Sequence, residues 1–157
     1  MDIKTYDLII DTKTKHTALQ VKDSFAYAVD NFTEPKAIYD LMTDGFRLDE
    51  KADEYVYMGA FNNRMKLLGM FEVSHGLCDA SLLDARGVYM MALQIGASNI
   101  VVIHNHPSGI PLPSRDDFNV FRRIRDAGEL LGIPLVDFIV IGCGDFVSFK
   151  EKDLLKL

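Results

Sequence analysis

The sequence contains only two cysteines, Cys78 and Cys143, which lie far apart in the chain. Because they form no C-x-x-C pair, the sequence excludes a zinc ribbon and a thioredoxin-like redox motif. We therefore predict that both cysteines are reduced, buried thiols.

Basic residues are scarce relative to acidic ones: 17 Lys and Arg against 23 Asp and Glu give a net charge of −6 at pH 7. Tight nonspecific binding to nucleic acid requires clustered Lys and Arg that neutralise phosphates, so nucleic acid is not an expected partner. The chain also lacks a run of ~18 apolar residues and the basic start of a signal peptide. We expect a cytoplasmic protein with no membrane partner.

The composition is that of an ordinary globular protein, with 48% hydrophobic and 25% charged residues over 157 positions. This length fits one domain with a substantial core. Predicted strands alternate with predicted helices, which indicates an α/β fold with a mixed sheet and helices packed against it. The predicted strands are 5–10, 17–21, 53–61, 65–74, a strand from Asn99, 135–141 and 146–149. The predicted helices are 33–45, a helix that runs from Leu83 or Asp84 to Ile95, and 114–131.

Helix boundaries follow from local signals. Thr33 is predicted as the N-cap of the first helix, with Pro35 inside its first turn and Gly45 as its end. The last helix is predicted to bury an apolar inner face. The residues of that face are Phe118, Phe121, Ile124 and Leu131.

The most informative segment is an apolar strand that ends in His104 and His106. Residues two apart on a strand share one face, so both imidazoles project the same way. A catalytic zinc takes about three protein ligands and leaves one position for water. The loop that follows contains three prolines and Gly109, and it can bring Asp117 on the next helix back towards the histidines. This arrangement predicts a metal site.

Two simpler interpretations compete with the metal site. Ser114 and Asp117 have the spacing of a capping box, although Glu or Gln is the usual residue in the second position. A buried histidine is more often a hydrogen-bonded core residue than a ligand. Two histidines on one strand face, followed by a carboxylate, favour the metal site, and Ser114 can cap the helix and still point into the cleft.

The spacing His104-x-His106, then Ser114 and Asp117, resembles the motif of the JAMM (MPN+/JAB) zinc metallopeptidases. The flanking segments resemble the bacterial RadC-like branch of that family. These segments are His104-Asn-His-Pro-Ser-Gly109, Pro113-Ser114, Leu131-Gly-Ile-Pro-Leu-Val-Asp137, Ile141-Gly142 and Phe146-Val-Ser148-Phe149. One departure is Phe138, where RadC-like sequences usually have a histidine that is not among the JAMM ligands.

The resemblance implies a curved mixed sheet flanked by helices, the JAMM/cytidine-deaminase-like architecture. It runs from about Pro35 to the C-terminus, so we predict a single domain over 1–157, with a core of 35–157 and an N-terminal hairpin extension in 1–32. Many RadC-like proteins carry a helix-hairpin-helix module before this domain. The sequence shows nothing like it, which further argues against a role on DNA.

The resemblance also implies that Glu54 is the general base. It stands eight residues before the turn position Asn62, where the family places its glutamate. From the residues alone, a glutamate at a strand start with acidic neighbours is more often a solvated charge. The chemistry is consistent with the implied role, because a carboxylate beside an activated water can accept its proton.

Together these features predict a zinc-dependent hydrolase of peptide or isopeptide bonds. The resemblance implies that His104, His106 and Asp117 hold Zn²⁺, that Glu54 is the base and that Ser114 donates a hydrogen bond to the developing oxyanion. The alternative is a DNA-repair or replication accessory protein with a structural or vestigial metal site. A nucleoside deaminase would require H-x-E and P-C-x-x-C motifs, which are absent. Noncatalytic relatives typically lose ligands that this chain retains. The substrate and the oligomeric state are left unassigned.

Overall fold

The computed structural model describes residues 1–29, 31–76 and 83–156. Its seven strands are β1 (Asp2–Ile10), β2 (Thr17–Ala26), β3 (Glu54–Phe61), β4 (Leu67–Gly76), β5 (Asn99–Asn105), β6 (Leu135–Ile141) and β7 (Phe146–Ser148). The α-helices are α1 (Pro35–Asp40), α2 (Ala85–Gln94) and α3 (Arg115–Leu131). A π-helical turn, Leu41–Gly45, continues α1, and a 3-10 turn, Leu48–Glu50, precedes β3.

All seven strands form one sheet in the order β2-β1-β4-β3-β5-β6-β7. The β1–β4 and β5–β6 pairs are parallel, and the other pairs are antiparallel. The predicted α/β fold with a mixed sheet flanked by helices is therefore confirmed. The N-terminal hairpin β1–β2 joins this sheet through β4. The division into an extension 1–32 and a core 35–157 stays a prediction.

The sheet separates two apolar cores. One core lies under α2 and α3 and includes Ile100 and Val102 of β5, while the other includes Val101 and Ile103 and is covered by α1 and its π-helical turn. Successive side chains of a strand alternate between faces, so His104 continues the row that lies under α3. The candidate ligand at the end of β5 is thereby placed on the same side of the sheet as Asp117.

The pairing of β3 with β5 brings together residues that are distant in the chain. Val56 pairs with His104 in antiparallel register. Glu54 lies two residues before Val56, on the same face, and is therefore carried to the end of β5 where the histidines lie.

Three local predictions are wrong. The N-cap of α1 is Glu34, not Thr33, because Pro35 occupies the first helical position, where its missing N–H costs nothing. Leu131 is 44% exposed, because Gly132 turns the chain in the left-handed conformation and delivers Ile133 to the core in its place. Cys143 is exposed, since it lies in the β6–β7 turn. Cys78 lies outside the described residues.

None of the helices in the described ranges has the length and apolar character needed to cross a bilayer.

Gly128 of α3 is packed too closely for a larger residue. A Cβ there would lie 2.2 Å from the Tyr89 hydroxyl oxygen and 2.5 Å from the Ile133 carbonyl oxygen. That hydroxyl donates a hydrogen bond of 2.8 Å to the carbonyl of Ile124, and a shift of the ring away from the new methyl group would strain this bond. We expect Gly128→Ala to lower the free energy of unfolding by about 1–3 kcal/mol, measured by urea denaturation.

The matched control is Gly87→Ala in α2. A Cβ at Gly87 would meet only a carboxylate oxygen of Asp84 at 3.7 Å, which is ordinary contact. Alanine favours helix over glycine by about 1 kcal/mol, so this variant should be as stable as the wild type or more so. Equal unfolding free energies for both variants would contradict the packing argument.

Candidate metal centre

The end of β5 and the first turn of α3 form a cluster of two imidazoles and a carboxylate. His104 Nε2 lies 3.1 Å from Asp117 Oδ1, and His106 Nε2 lies 3.4 Å from Asp117 Oδ2. His104 and Asp117 are buried, at 2% and 4% exposure. Together with Glu54 they form a group whose potential ligand atoms all lie within 4.8 Å of one another. The structure thus brings together four of the five residues singled out in the sequence.

Ser114, the fifth residue, forms the capping box. Its Oγ accepts a hydrogen bond from the Asp117 amide at 3.1 Å, and Asp117 Oδ2 accepts one from the Ser114 amide. The helix cap and the metal-facing carboxylate are therefore compatible. One oxygen of Asp117 is tied to the cap, which fixes the direction of the other towards His104.

Each imidazole has its Nδ1 engaged on the side away from Asp117. His106 Nδ1 lies 2.9 Å from the Ile110 carbonyl oxygen, and His104 Nδ1 lies 3.1 Å from Glu54 Oε1. A carbonyl or carboxylate oxygen only accepts, so Nδ1 carries the proton in both neutral rings. This tautomer leaves both Nε2 lone pairs directed at the space beside Asp117, as in metal-binding histidines that are oriented by an oxygen.

The surroundings of His104 Nε2 indicate whether a metal ion fits the space beside Asp117. This nitrogen is buried and has no hydrogen-bond partner among the described residues, although Asp117 Oδ1 is near. A lone pair and a carboxylate held this close are stabilised by a cation between them. The separations of 3.1 and 3.4 Å are similar to the edge of about 3.3 Å of a tetrahedron with zinc–ligand bonds of about 2.0–2.1 Å. The donor set fits Zn²⁺.

The protonation equilibria of the cluster are strongly coupled. Burial alone would lower the pKa of His104, but the carboxylates of Asp117 and Glu54 raise it above the usual imidazole value. The hydrogen bond to Asp117 also raises the pKa of His106. Burial alone would raise the pKa of Asp117, but both imidazoles and Ser114 hold it well below its usual range. Asp117 is therefore a carboxylate at neutral pH.

Zinc binding is expected to release protons, because the metal must displace those held on His104 and His106. The raised pKa values keep the imidazoles protonated at about pH 6, so zinc affinity should fall as the pH decreases towards that value. The number of protons released per zinc ion is measured by calorimetric titration with zinc in two buffers of different ionisation enthalpy. Release should be largest near about pH 6 and should decrease as the pH rises. No release at the lower pH would contradict the assigned ligands.

Glu54 lies at the first position of β3 and its side chain is 27% exposed, so it is more open to solvent than the candidate ligands.

Asn105 holds the backbone on both sides of Glu54, a role that was not predicted from the sequence. Asn105 Oδ1 accepts a hydrogen bond of 2.7 Å from the Tyr55 amide, and Asn105 Nδ2 donates one of 3.0 Å to the Asp53 carbonyl. The signal in the sequence that could have identified Asn105 is its position as a polar residue between the two histidines, on the opposite face of the strand.

Gly142 is a second residue whose role was missed. A Cβ at Gly142 would lie 2.4 Å from the Gly109 carbonyl oxygen and 2.7 Å from Pro111 Cδ. The Cys143 amide donates to the same Gly109 oxygen at 2.9 Å. This close approach holds the loop 107–113 against the β6–β7 turn. It thereby positions His106, whose own amide donates to the Ile141 carbonyl at 2.8 Å.

Phe138, the departure from the RadC-like pattern, is buried against His104 of the candidate metal centre. Its ring centroid lies 5.4 Å from that of His104, on the side under α3. Phe138 forms an apolar wall for the His104 ring, and its presence leaves the four-residue group intact.

The chain is similar to known proteins over most of its length. The family model described as "RadC-like JAB domain" matches residues 32–154. A UPF0758 protein of Geotalea uraniireducens is 34% identical over 128 residues, which cover 82% of this chain and 55% of that protein. A UPF0758 protein of Pelobacter propionicus is 32% identical over 127 residues, which cover 81% of this chain and 55% of that protein. The chain thus spans about half the length of the curated relatives it matches, and it belongs to the RadC-like JAB domain family.

Proposed function

We propose that this protein is a zinc-dependent hydrolase of peptide or isopeptide bonds. The observation that carries the proposal is the buried Nε2 of His104, which has no hydrogen-bond partner among the described residues and faces Asp117 Oδ1 at 3.1 Å. Membership of the RadC-like JAB domain family supports a hydrolase. We propose a peptide or protein as the substrate rather than nucleic acid, in keeping with the net charge of −6.

In this proposal His104, His106 and Asp117 are the zinc ligands. A bound zinc ion would supply Lewis acidity and lower the pKa of water to about 7, so that a nucleophile would be available at neutral pH. Asp117 contributes a negative charge that offsets the cation. The capping box and the Ile110 carbonyl hold the ligands in place before the ion binds.

Glu54 is the proposed general base. Its position beside His104 and its partial exposure support this role, because the carboxylate lies near the proposed ligands and is partly open to solvent. During attack on the substrate carbonyl, Glu54 accepts a proton from the nucleophilic water. It then returns that proton to the departing amine, which completes hydrolysis.

Ser114 is the proposed oxyanion donor. Its Oγ accepts the Asp117 amide proton, which leaves the hydroxyl hydrogen available, and the residue is exposed. The hydroxyl can therefore donate a hydrogen bond to the substrate carbonyl oxygen as negative charge develops there. A well-placed donor of this kind contributes on the order of 3 kcal/mol to transition-state stabilisation.

The test is the metal content of protein that is purified without added zinc, combined with cleavage of a mixed fluorescence-quenched peptide library. We expect about one zinc ion per chain, since the site offers three protein ligands for one ion. Dialysis against a chelator should remove both zinc and cleavage, and added zinc should restore both. Cleavage that persists after complete loss of the metal would overturn the proposal.

A further inference from the structure

Asn105 is a buried polar residue at the point where the pairing of β3 with β5 ends. It is 2% exposed. The last backbone pair between the two strands joins Val56 to His104, one residue before Asn105. The first two residues of β3, Glu54 and Tyr55, therefore extend beyond the backbone pairs that tie β3 to β5.

The side chain of Asn105 connects this extension to β5. Its Oδ1 accepts a hydrogen bond of 2.7 Å from the Tyr55 amide, and its Nδ2 donates one of 3.0 Å to the Asp53 carbonyl. A side-chain amide has the same kinds of donor and acceptor as a peptide group, so it can hydrogen-bond both neighbours of Glu54 as a strand backbone would. The start of β3 is thereby fixed to the strand that leads to both histidines.

The position of Glu54 relative to the candidate ligands depends on this connection. On its other side Glu54 pairs with Gly76 of β4, a strand that carries none of the candidate ligands. The link from Glu54 to those ligands runs instead through β5. It includes the 3.1 Å contact between Glu54 Oε1 and His104 Nδ1, and the hydrogen bonds from Asn105 to the backbone. The first holds the carboxylate, and the second hold the backbone that carries it.

We propose that Asn105 is a positioning residue that holds Glu54 at the distance from the metal ligands at which it acts as the general base. This inference rests on the proposed function and adds a residue to its mechanism. Displacement of a reacting group by about 1 Å can slow a reaction about 10²-fold. Asn105 projects from the face of β5 opposite to His104 and His106, so its substitution leaves the ligand side chains themselves in place.

The test begins with two measurements on Asn105→Ala that do not depend on activity. Zinc affinity, measured by competition with a chromophoric chelator, should be unchanged, because all three proposed ligands remain. The NMR resonance of the His104 Nδ1 proton in the zinc-loaded protein should move upfield, because its hydrogen bond to the Glu54 carboxylate is weakened. The Nδ1 proton of His106 is the internal reference, since it is bonded to the Ile110 carbonyl and should not move.

A double-mutant cycle then shows whether Asn105 acts through Glu54. Glu54→Gln replaces a charged acceptor with a neutral one, which should shift the His104 resonance and so identify it. Asn105→Ala should slow cleavage of the mixed peptide library about 10–100-fold in the wild-type background. In the Glu54→Gln background the same substitution should change the residual rate little. Equal fold-losses in the two backgrounds would contradict the proposal, because they would show that the two residues act independently.

Asn99→Ala is the matched control. Asn99 lies at the opposite end of β5, and its Nδ2 also donates a hydrogen bond, of 3.3 Å, to a backbone carbonyl just beyond β3, that of Asn62. This variant should leave all three measurements unchanged. Asn105→Ser is the second test variant, and it decides the question if the alanine variant does not fold. Its hydroxyl can keep one of the two hydrogen bonds, so its values should lie between those of the wild type and Asn105→Ala.

An unchanged His104 resonance in both Asn105 variants would overturn the proposal. A fall in zinc affinity of more than about tenfold would also overturn it, because Asn105 would then act on the ligands rather than on Glu54. If the His104 resonance moves as expected but the zinc-loaded wild type cleaves no peptide, the proposed function is wrong, whereas the placement of Glu54 by Asn105 stands.

Discussion

Replacing Glu54 with glutamine is expected to abolish turnover while the protein keeps its zinc. Glu54 Oε1 lies 3.1 Å from His104 Nδ1 and accepts a hydrogen bond from it. The side-chain oxygen of a glutamine can accept the same hydrogen bond. The orientation of His104 should therefore survive the substitution. An amide cannot take a proton from water at neutral pH, so the step that activates the nucleophile is lost. Removal of a general base typically costs about 10²–10⁴-fold in rate.

The measurement for Glu54→Gln is zinc content together with the rate of cleavage of the mixed peptide library. Glu50→Gln is the matched control, because Glu50 is an exposed acid that pairs with Arg47 a few residues earlier in the chain. This control should keep both zinc and activity. Full activity in Glu54→Gln would show that another group is the base. Loss of zinc would show that Glu54 acts mainly by orienting His104.

The second large effect is expected from His106→Ala, which should lower zinc affinity by more than about 100-fold. Loss of a hydrogen bond that merely orients a ligand already costs 10–100-fold, and this substitution removes the ligand itself. Only His104 and Asp117 would remain of the proposed ligands. The protein is expected to fold, because the buried parts of the cluster are unchanged and His106 is the more exposed of the two histidines.

Affinity for His106→Ala is measured by competition with a chromophoric zinc chelator, and folding is checked by circular dichroism. His75→Ala is the control, since His75 is a 60% exposed histidine that contacts Glu72 outside the four-residue group. It should bind zinc as the wild type does. Equal zinc affinity in the wild type and His106→Ala would remove the proposed centre.

Much of the local structure could be predicted from short stretches of sequence. The α3 helix starts where the capping box of Ser114 and Asp117 predicts it, because both hydrogen bonds of that motif form between residues three apart. Likewise, α2 begins after Asp84, which caps its first turn. Such signals depend on hydrogen bonds between a few neighbouring residues, so the packing of the rest of the chain changes them little.

Two of the wrong predictions concern residues whose burial depends on the tertiary structure. The pattern on α3 assigned Leu131 to the core, but the left-handed turn at Gly132 brings Ile133 into that space. The exposure of Cys143 follows from its place in the turn that holds the metal-site loop. For Leu131, competition with Ile133 for one buried volume decided the outcome, and periodicity does not report that competition.

The sequence by itself determined that two imidazoles share one strand face and that a carboxylate follows at the start of a helix, because these relations are set within single elements. Only the tertiary structure decided that Glu54 meets His104 across 50 residues of chain. It also gave Asn105 and Gly142 their roles in holding β3 and the loop. The physical reason is that strand register and loop contacts depend on burial of the whole sheet, which no short segment encodes.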